Sequence, residues 1–461
     1  MAVGSVIGSG IFFKVQSVLL ATGGSMPLGI LAFAITGALT VVCSAQFAVM
    51  AGAWESGGDI VDYAEASCGG TFAYYLAWFM ANIYYPSLAS VLSWVSARYF
   101  GELFGWSAAG PRTMVLSAFF LILSYAVNVL SPRLAGKIQI STTTIKLIPI
   151  VLLATVGVGA GLASGTLLRN LATASGTPVG GSVGSGLLAA VVSTVFAYDG
   201  WIVATSINAE LKDPQRNLPL ALLVGSLTVT VSYVLYCIGA VGAASSEVLM
   251  AEGVVASFRA LFGTLGAVLL SICVIISCLG TLNGMMLATT RGMYAIAARG
   301  RGPRPELFSQ IDGATDTAPG SAVWGLFVSE VWMLYFYGAN LAPSGGWLGV
   351  FAFDSSELPS VSLYALYIPI FILWMKKEKR LGKFRRFVLP SLSILSSAFM
   401  ILATVYAHGI LPYREAASEG RFAFPVLFYL IVFSAVMLAG WLASRRGRRL
   451  PEGETTDEGR Q

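Results

Sequence analysis

The chain has 461 residues, of which 56% are hydrophobic and only 11% are charged, against roughly 25% charged residues in an ordinary soluble protein. That composition excludes a soluble enzyme, and 28 Lys plus Arg against 23 Asp plus Glu is too sparse a charge for a disordered or nucleic-acid-binding chain. A multi-span membrane protein remains. Its one histidine, His408, excludes b-type haem and zinc or copper sites, which need several imidazoles, so no metal or cofactor is expected.

A membrane helix needs about 20 apolar residues to cross the hydrocarbon layer. In chain order, runs of that length predict about twelve spans, at 1–22, 27–53, 71–100, 112–130, 138–162, 187–208, 218–243, 264–296, 321–338, 353–375, 387–409 and 423–443. Glycines interrupt the first span, and the ninth and tenth share a loop ending in Asp354 and Glu357. An all-α membrane protein follows.

Positive residues are retained on the cytoplasmic side. With the N-terminus inside, twenty basic residues fall in the cytoplasm, in clusters at 133–137, 212–216, 291–304, 376–386 and 445–460. Seven fall on the other side: Lys14, Arg98, Arg112, Arg169, Arg259, Arg414 and Arg421. Lys146 alone is left inside a span. Both termini are therefore expected in the cytoplasm of a protein of the cell membrane, with residues 444–461 as a solvated tail. Cys43, Cys237, Cys273 and Cys278 fall within predicted spans and Cys68 in a cytoplasmic loop, which leaves no extracellular pair for a disulfide. The first residues lack the basic flank of a cleavable signal.

Gly4-Ser-Val-Ile-Gly8-Ser-Gly10 places three glycines and two serines in seven residues of the first span. Two readings stand: close helix packing through a small-xxx-small face, or a helix that loses its hydrogen-bond ladder. A second feature favours the latter. Five spans later, Phe196-Ala-Tyr-Asp199-Gly200-Trp201 puts a carboxylate and a glycine into an apolar helix. Matching interruptions in two halves point to an inverted-repeat transporter with its substrate site near the bilayer midplane. Freed N–H groups at the start of a half-helix suit a carboxylate, and freed carbonyls suit an ammonium group, so a zwitterion fits. Unpaired backbone at membrane depth also implies an enclosed pocket.

The segments 4–12, Trp54-Glu-Ser-Gly-Gly-Asp59, 196–201 and Glu210-Leu-Lys-Asp-Pro-Gln-Arg-Asn-Leu-Pro219 resemble the L-type amino acid transporters of the amino acid-polyamine-organocation superfamily, in its bacterial serine/threonine-exchanger branch. Ser277-Cys-Leu-Gly-Thr-Leu-Asn-Gly284 and Thr290-Arg-Gly-Met-Tyr294 extend the likeness over nearly the whole chain. The resemblance implies a five-plus-five inverted repeat with discontinuous helices 1 and 6. Residues 1–163 and 187–375 would be the two repeats, and 387–443 two accessory spans. It assigns substrate binding to Ile7, Gly8, Ser9 and Gly10 in the first span and to Phe196, Ala197 and Asp199 in the sixth. Amides of the first set would take the carboxylate and carbonyls of both sets the amino group, with Phe196 as a gating aromatic.

Three departures from the family pattern stand out. Val49 replaces a usual Glu, the loop after Arg98 has no Cys for linkage to a glycoprotein partner, and only three residues precede Gly4. The chain is accordingly expected to work without a disulfide-linked heavy chain, and its start to be truncated.

Charge inside the bilayer costs at least about 2.5 to 3.5 kcal/mol. Lys146 lies about eight residues, or roughly 12 Å, into its span. The resemblance puts it where sodium-coupled relatives hold a cation between the first and eighth spans, so a fixed ammonium would replace sodium. Tyr233, Ser277 and Thr281 are expected near it. Asp199 has three open roles: selecting a cationic side chain, holding the amino group, or capping and shaping the site, of which the last is favoured. Glu330 has no evident partner in the ninth span and reads as structural, as does His408. The basic run from Lys376 to Arg386 reads as an orientation determinant in contact with anionic lipid rather than nucleic acid. No paired acid and base, nucleophile triad or metal cluster can be assembled, so no enzyme activity is expected. The expected function is sodium-independent exchange of small neutral amino acids (serine, threonine, alanine) by alternating access. The rivals are proton-coupled uptake with Lys146 as proton carrier, and an amino acid sensor that does not transport.

Overall fold

The computed structural model describes residues 8, 10–53, 59–172, 176–202, 205, 213–342 and 348–447. Ile7, Ser9, the 54–58 part of the Trp54 motif and Glu210 to Lys212 lie outside the described residues. Among those described, helices and loops account for the fold, with an isolated bridge between Asp312 and Thr317 and no strand.

Nine of the described helices are long and apolar enough to cross a membrane, and two shorter apolar ones, Gly10–Ala21 and Val183–Tyr198, stand where the sequence predicts broken spans. In chain order the elements are α1 (Gly10–Ala21), α2 (Met26–Ala53), α3 (Ile60–Cys68), α4 (Gly70–Phe79), α5 (Tyr85–Glu102), α6 (Pro111–Leu130), α7 (Pro132–Leu152), α8 (Val158–Ala163), α9 (Thr166–Ala172) and α10 (Val183–Tyr198). There follow α11 (Pro214–Ala243), α12 (Ser246–Glu252), α13 (Val255–Ala297), α14 (Pro305–Phe308), α15 (Pro319–Phe336), α16 (Leu358–Lys377), α17 (Leu389–Val405), α18 (Leu411–Ser418) and α19 (Pro425–Gly447).

Elements five spans apart pack on each other. The first span (α1) lies against the sixth (α10), the second (α2) against the seventh (α11), the third (α5) against the eighth (α13), and the fourth (α6) against the ninth (α15). This is the pairing that two intertwined halves produce. The outermost helix, α19, rests on α4, where Tyr74 Oη and Trp78 Nε1 donate to the carbonyls of Gly440 (2.7 Å) and Val436 (2.8 Å).

Prolines explain three of the five widened turns among the described residues. Widened π turns at Met80–Tyr84, Phe384–Val388 and Tyr406–Ile410 each precede a proline by two residues: Pro86, Pro390 and Pro412. Such a ring lacks an N–H and crowds the carbonyl four residues back, which here falls inside each π turn. In the first case that carbonyl is Asn82 O, and Trp332 Nε1 donates to it at 2.9 Å. These three turns are therefore placed by sequence, and the first of them carries Tyr84 to the site.

Three boundaries differ from expectation. The predicted sixth span, 187–208, ends as a helix at Tyr198. The eighth reaches back to Val255 through a bend at Gly263, whose φ of 70° suits glycine. Cys68 lies at the end of the short helix α3 rather than in a loop, and all five cysteines are free thiols.

Candidate functional site

The site grows from the two breaks. Helix α1 starts at Gly10, and a Cβ built there would stand 2.4 Å from the Ala197 Cα of α10. A Cβ on Gly8 would stand 3.0 Å from Thr281 Oγ1 in α13. Glycine at these positions is therefore a packing requirement, since it lets one broken span touch both the sixth and the eighth. The small-residue reading is therefore physically right at both glycines.

Around Gly8 four predicted side chains come together. Lys146 Nζ, on α7 and wholly buried, donates to Thr281 Oγ1 at 2.8 Å. Thr281 Oγ1 in turn reaches Ser277 O at 3.1 Å, one helical turn back. Ser277 Oγ donates to Gly8 O at 3.4 Å, and the Tyr233 phenol of α11 faces the Gly8 backbone amide. Tyr233 is held in place by the ring of Tyr198, 5.1 Å away. An ammonium, two hydroxyls and a phenol thus surround the start of the first break.

At the second break, α10 ends because Asp199 adopts extended backbone and Gly200 takes a φ of 92°. The end of α10 is pinned to α2 by Thr194 donating to Thr36 Oγ1 (2.6 Å) and by the Tyr198 hydroxyl donating to Phe33 O (2.8 Å). Asp199 Oδ1 accepts the Tyr84 hydroxyl and the Gly200 N–H at 2.8 Å, and Oδ2 accepts Ser360 Oγ. Three neutral donors from the third, sixth and tenth spans hold this carboxylate, with no ion pair to it among the described residues. Tyr84 and Ser360 were not legible as site residues. Their one sequence signal is Tyr84 beside Pro86, which marks a local widening of the helix.

Phe196 is buried one turn before the break, edge-on to Phe13 at 5.6 Å between centroids. Lys14 follows Phe13, and here an expectation is corrected. Lys14 does not lie in the medium beyond the membrane, and Lys146 is not alone inside a span. The Lys14 side chain is buried on α1 and ion-paired with Glu357, whose other oxygen meets His408 Nε2 at 2.8 Å. The physical reason is that α1 is packed inside the bundle, so a lysine on it needs a partner rather than a route to water. Glu330 stands apart from the site on α15, with Oε1 buried and unpartnered among the described residues.

The arrangement brings the start of α1 against the end of α10, with backbone polar groups and aromatic rings close to the junction, a setting chemically suited to a small zwitterion. The comparisons agree with that chemistry. A family profile described as amino acid permease matches residues 1–437. The chain is 26% identical over 419 residues to the serine/threonine exchanger SteT of Bacillus subtilis (strain 168), covering 88% of this chain and 89% of that one. It is 28% identical over 394 residues to the b(0,+)-type amino acid transporter 1 of Mus musculus, covering 80% and 78%. In fold it is similar to the crystal structure of MhsT in complex with L-phenylalanine, with a TM-score of 0.55 at 15% identity over 88% of this chain and 97% of that one. The chain is a multi-pass membrane transporter that belongs to the amino acid permease family.

Proposed function

We propose that this permease exchanges small neutral L-amino acids of the serine, threonine and alanine type by alternating access, without sodium. The observation that carries the reading is the Lys146 ammonium donating to Thr281 at 2.8 Å, with Thr281 and Ser277 both against Gly8. A positive charge already fixed at the first break supplies what a bound cation would supply there, a partner for oxygen atoms at membrane depth. The name of the Bacillus subtilis relative, a serine/threonine exchanger, supports both the substrate class and the exchange mode.

In this reading the amides of Gly8, Ser9 and Gly10 take the substrate carboxylate, where the dipole of α1 adds partial positive charge. Carbonyls of Ile7, Phe196 and Ala197 take the amino group. Phe196 closes over the substrate, while Asp199 shapes the sixth-span break through Tyr84 and Ser360 rather than selecting a cationic side chain. Residues 1–163 and 187–375 act as two repeats that rock around the site, with 387–443 accessory. The basic loops face the cytoplasm together with both termini, and the chain works without a disulfide-linked heavy chain.

The test is a panel of radiolabelled amino acids in proteoliposomes, with and without internal substrate. Exchange predicts uptake of serine, threonine and alanine that needs an internal amino acid. Equal uptake into empty vesicles, or binding without uptake, would reject it.

A further inference from the structure

Lys14 lies four residues beyond Gly10, about 6 Å along α1 from the first break at 1.5 Å per residue. Its partner Glu357 immediately precedes α16, 343 residues away in sequence, and each side chain is 4% exposed. His408, in the π turn Tyr406–Ile410, holds the second Glu357 oxygen at 2.8 Å. Asp354 fixes the backbone beneath: its Oδ1 accepts the N–H of Ser356 at 2.7 Å and of Glu357 at 3.2 Å. The Lys14 ammonium also stands 5.3 Å from the ring centroid of Phe13 and 5.7 Å from that of Phe196, the pair of rings that meets over the break.

We propose that Lys14 and Glu357 are a latch that shuts the substrate site on the face opposite the basic loops, with His408 positioning the Glu357 carboxylate. The latch is closed in this structure and parts when the site opens to that face. This inference rests on the transport function proposed above.

Two features make the contact a switch rather than a passive brace. First, Lys14 sits on a short helix of twelve residues, Gly10–Ala21, that starts at the glycine-rich break, and an element of that length can tilt as a unit. Apart from the ion pair, its side-chain links to other elements are mostly apolar packing, with Gln16 Nε2 donating to the carbonyls of Met250 (2.9 Å) and Ala251 (3.1 Å) on α12 and Tyr99 Oη donating to Phe12 O at 3.4 Å. Second, a buried ion pair has two favourable states and a costly one between them. Either the charges meet, or both are hydrated, whereas one charge left dry and alone is strongly disfavoured. Opening toward that face would bring water to both groups at once, and the cation would leave the rings of Phe13 and Phe196 in the same movement.

The experiment uses the full chain in lipid with Cys68 and Cys273, the two half-buried thiols, replaced by serine, and spin labels at Leu20→Cys and Val350→Cys, which are 53% and 45% exposed. The distance between labels reports whether α1 and the start of α16 are together. The background protein should show mainly the short distance. Glu357→Gln should add a longer component and change the external apparent KM at least threefold relative to the internal one, an asymmetry that a merely structural brace would not give. The swapped pair Lys14→Glu with Glu357→Lys should restore the short distance. If Glu357→Gln is not recovered folded, Lys14→Met with Glu357→Met leaves no lone buried charge; an apolar pair gains nothing from water, so it should keep the short distance and still change the ratio of external to internal KM at least threefold. An unchanged distance distribution with an unchanged ratio of external to internal KM would overturn the latch. If the background protein exchanges no amino acid, the transport reading fails, while the distances still decide whether this pair holds α1 to α16.

Discussion

Gly10 and Ala197 touch backbone to backbone: a Cβ on the glycine would stand 2.4 Å from the alanine Cα, far inside van der Waals contact. The two broken spans are thus in register at the site, and the contact leaves no room for a side chain. Gly10→Val should abolish amino acid binding while the protein still inserts, because the two half-helix ends must separate and the backbone freedom at the break is lost. Gly8→Val should do the same through Thr281, whose Oγ1 is 3.0 Å from the Cβ position. Near-normal affinity in purified Gly10→Val, measured by equilibrium binding, would contradict the assigned site.

Tyr84→Phe removes one of three neutral donors to a buried carboxylate. Hydrogen bonds to charged acceptors contribute about 1.5–3 kcal/mol each. The variant should lose about that much stability in a thermal or denaturant assay on purified protein. Ser360→Ala should behave alike, because it strips Oδ2 of its donor. Substrate preference should stay neutral in both, as expected if Asp199 shapes the break rather than selecting a cation. A gain of lysine or arginine transport in either variant would reverse that assignment.

Helix α11 passes so close to the widened turn Leu153–Gly157 that a Cβ on Gly239 would stand 2.0 Å from Leu153 O. Gly239→Val should therefore cost about 1–3 kcal/mol by overpacking, or more if the backbones separate. Gly159→Ala, where nothing lies within 4 Å of the new carbon, serves as the control and should be neutral. Equal melting temperatures for the two variants would show that α7, α8 and α11 are not packed as closely as described.

The spans and the glycine-rich and Asp-Gly interruptions were legible because each leaves a one-dimensional trace, an apolar run of membrane length or a cluster of helix-breaking residues, whereas the partners of Lys146 around Gly8 were expected only from the family resemblance. What sequence reading missed is tertiary. The end of α10 at Tyr198 depends on Asp199 turning out of the helix to meet Tyr84 and Ser360, which lie 115 and 161 residues away. Lys14 was assigned to the medium because it adds to the count of basic residues on one side, and nothing local says that its counter-ion begins the tenth span. Its signal, the one charge in α1, shows that a partner is needed without naming Glu357. The proline-linked π turns were readable in principle, since each proline must displace the carbonyl four residues before it.

Lys146→Ala would leave Thr281 and the oxygens behind it without their cation, at about 1–3 kcal/mol for each buried group left unpaired. Exchange rate or affinity should fall roughly tenfold for each 1.4 kcal/mol lost from the relevant state. Lys146→Arg, whose planar fork does not fit a single hydroxyl in a site shaped for an ammonium, should not restore full activity.

The central claim is that a fixed ammonium at the first break does the work of a coupling cation. The most direct measurement is serine exchange by the wild-type protein in proteoliposomes, with external sodium replaced by choline and the Lys146→Ala variant run beside it. The account predicts wild-type exchange at the same rate in sodium and in choline, and a loss of tenfold or more in the variant. Strict sodium dependence of the wild type, or Lys146→Ala exchanging as well as the wild type, would contradict it.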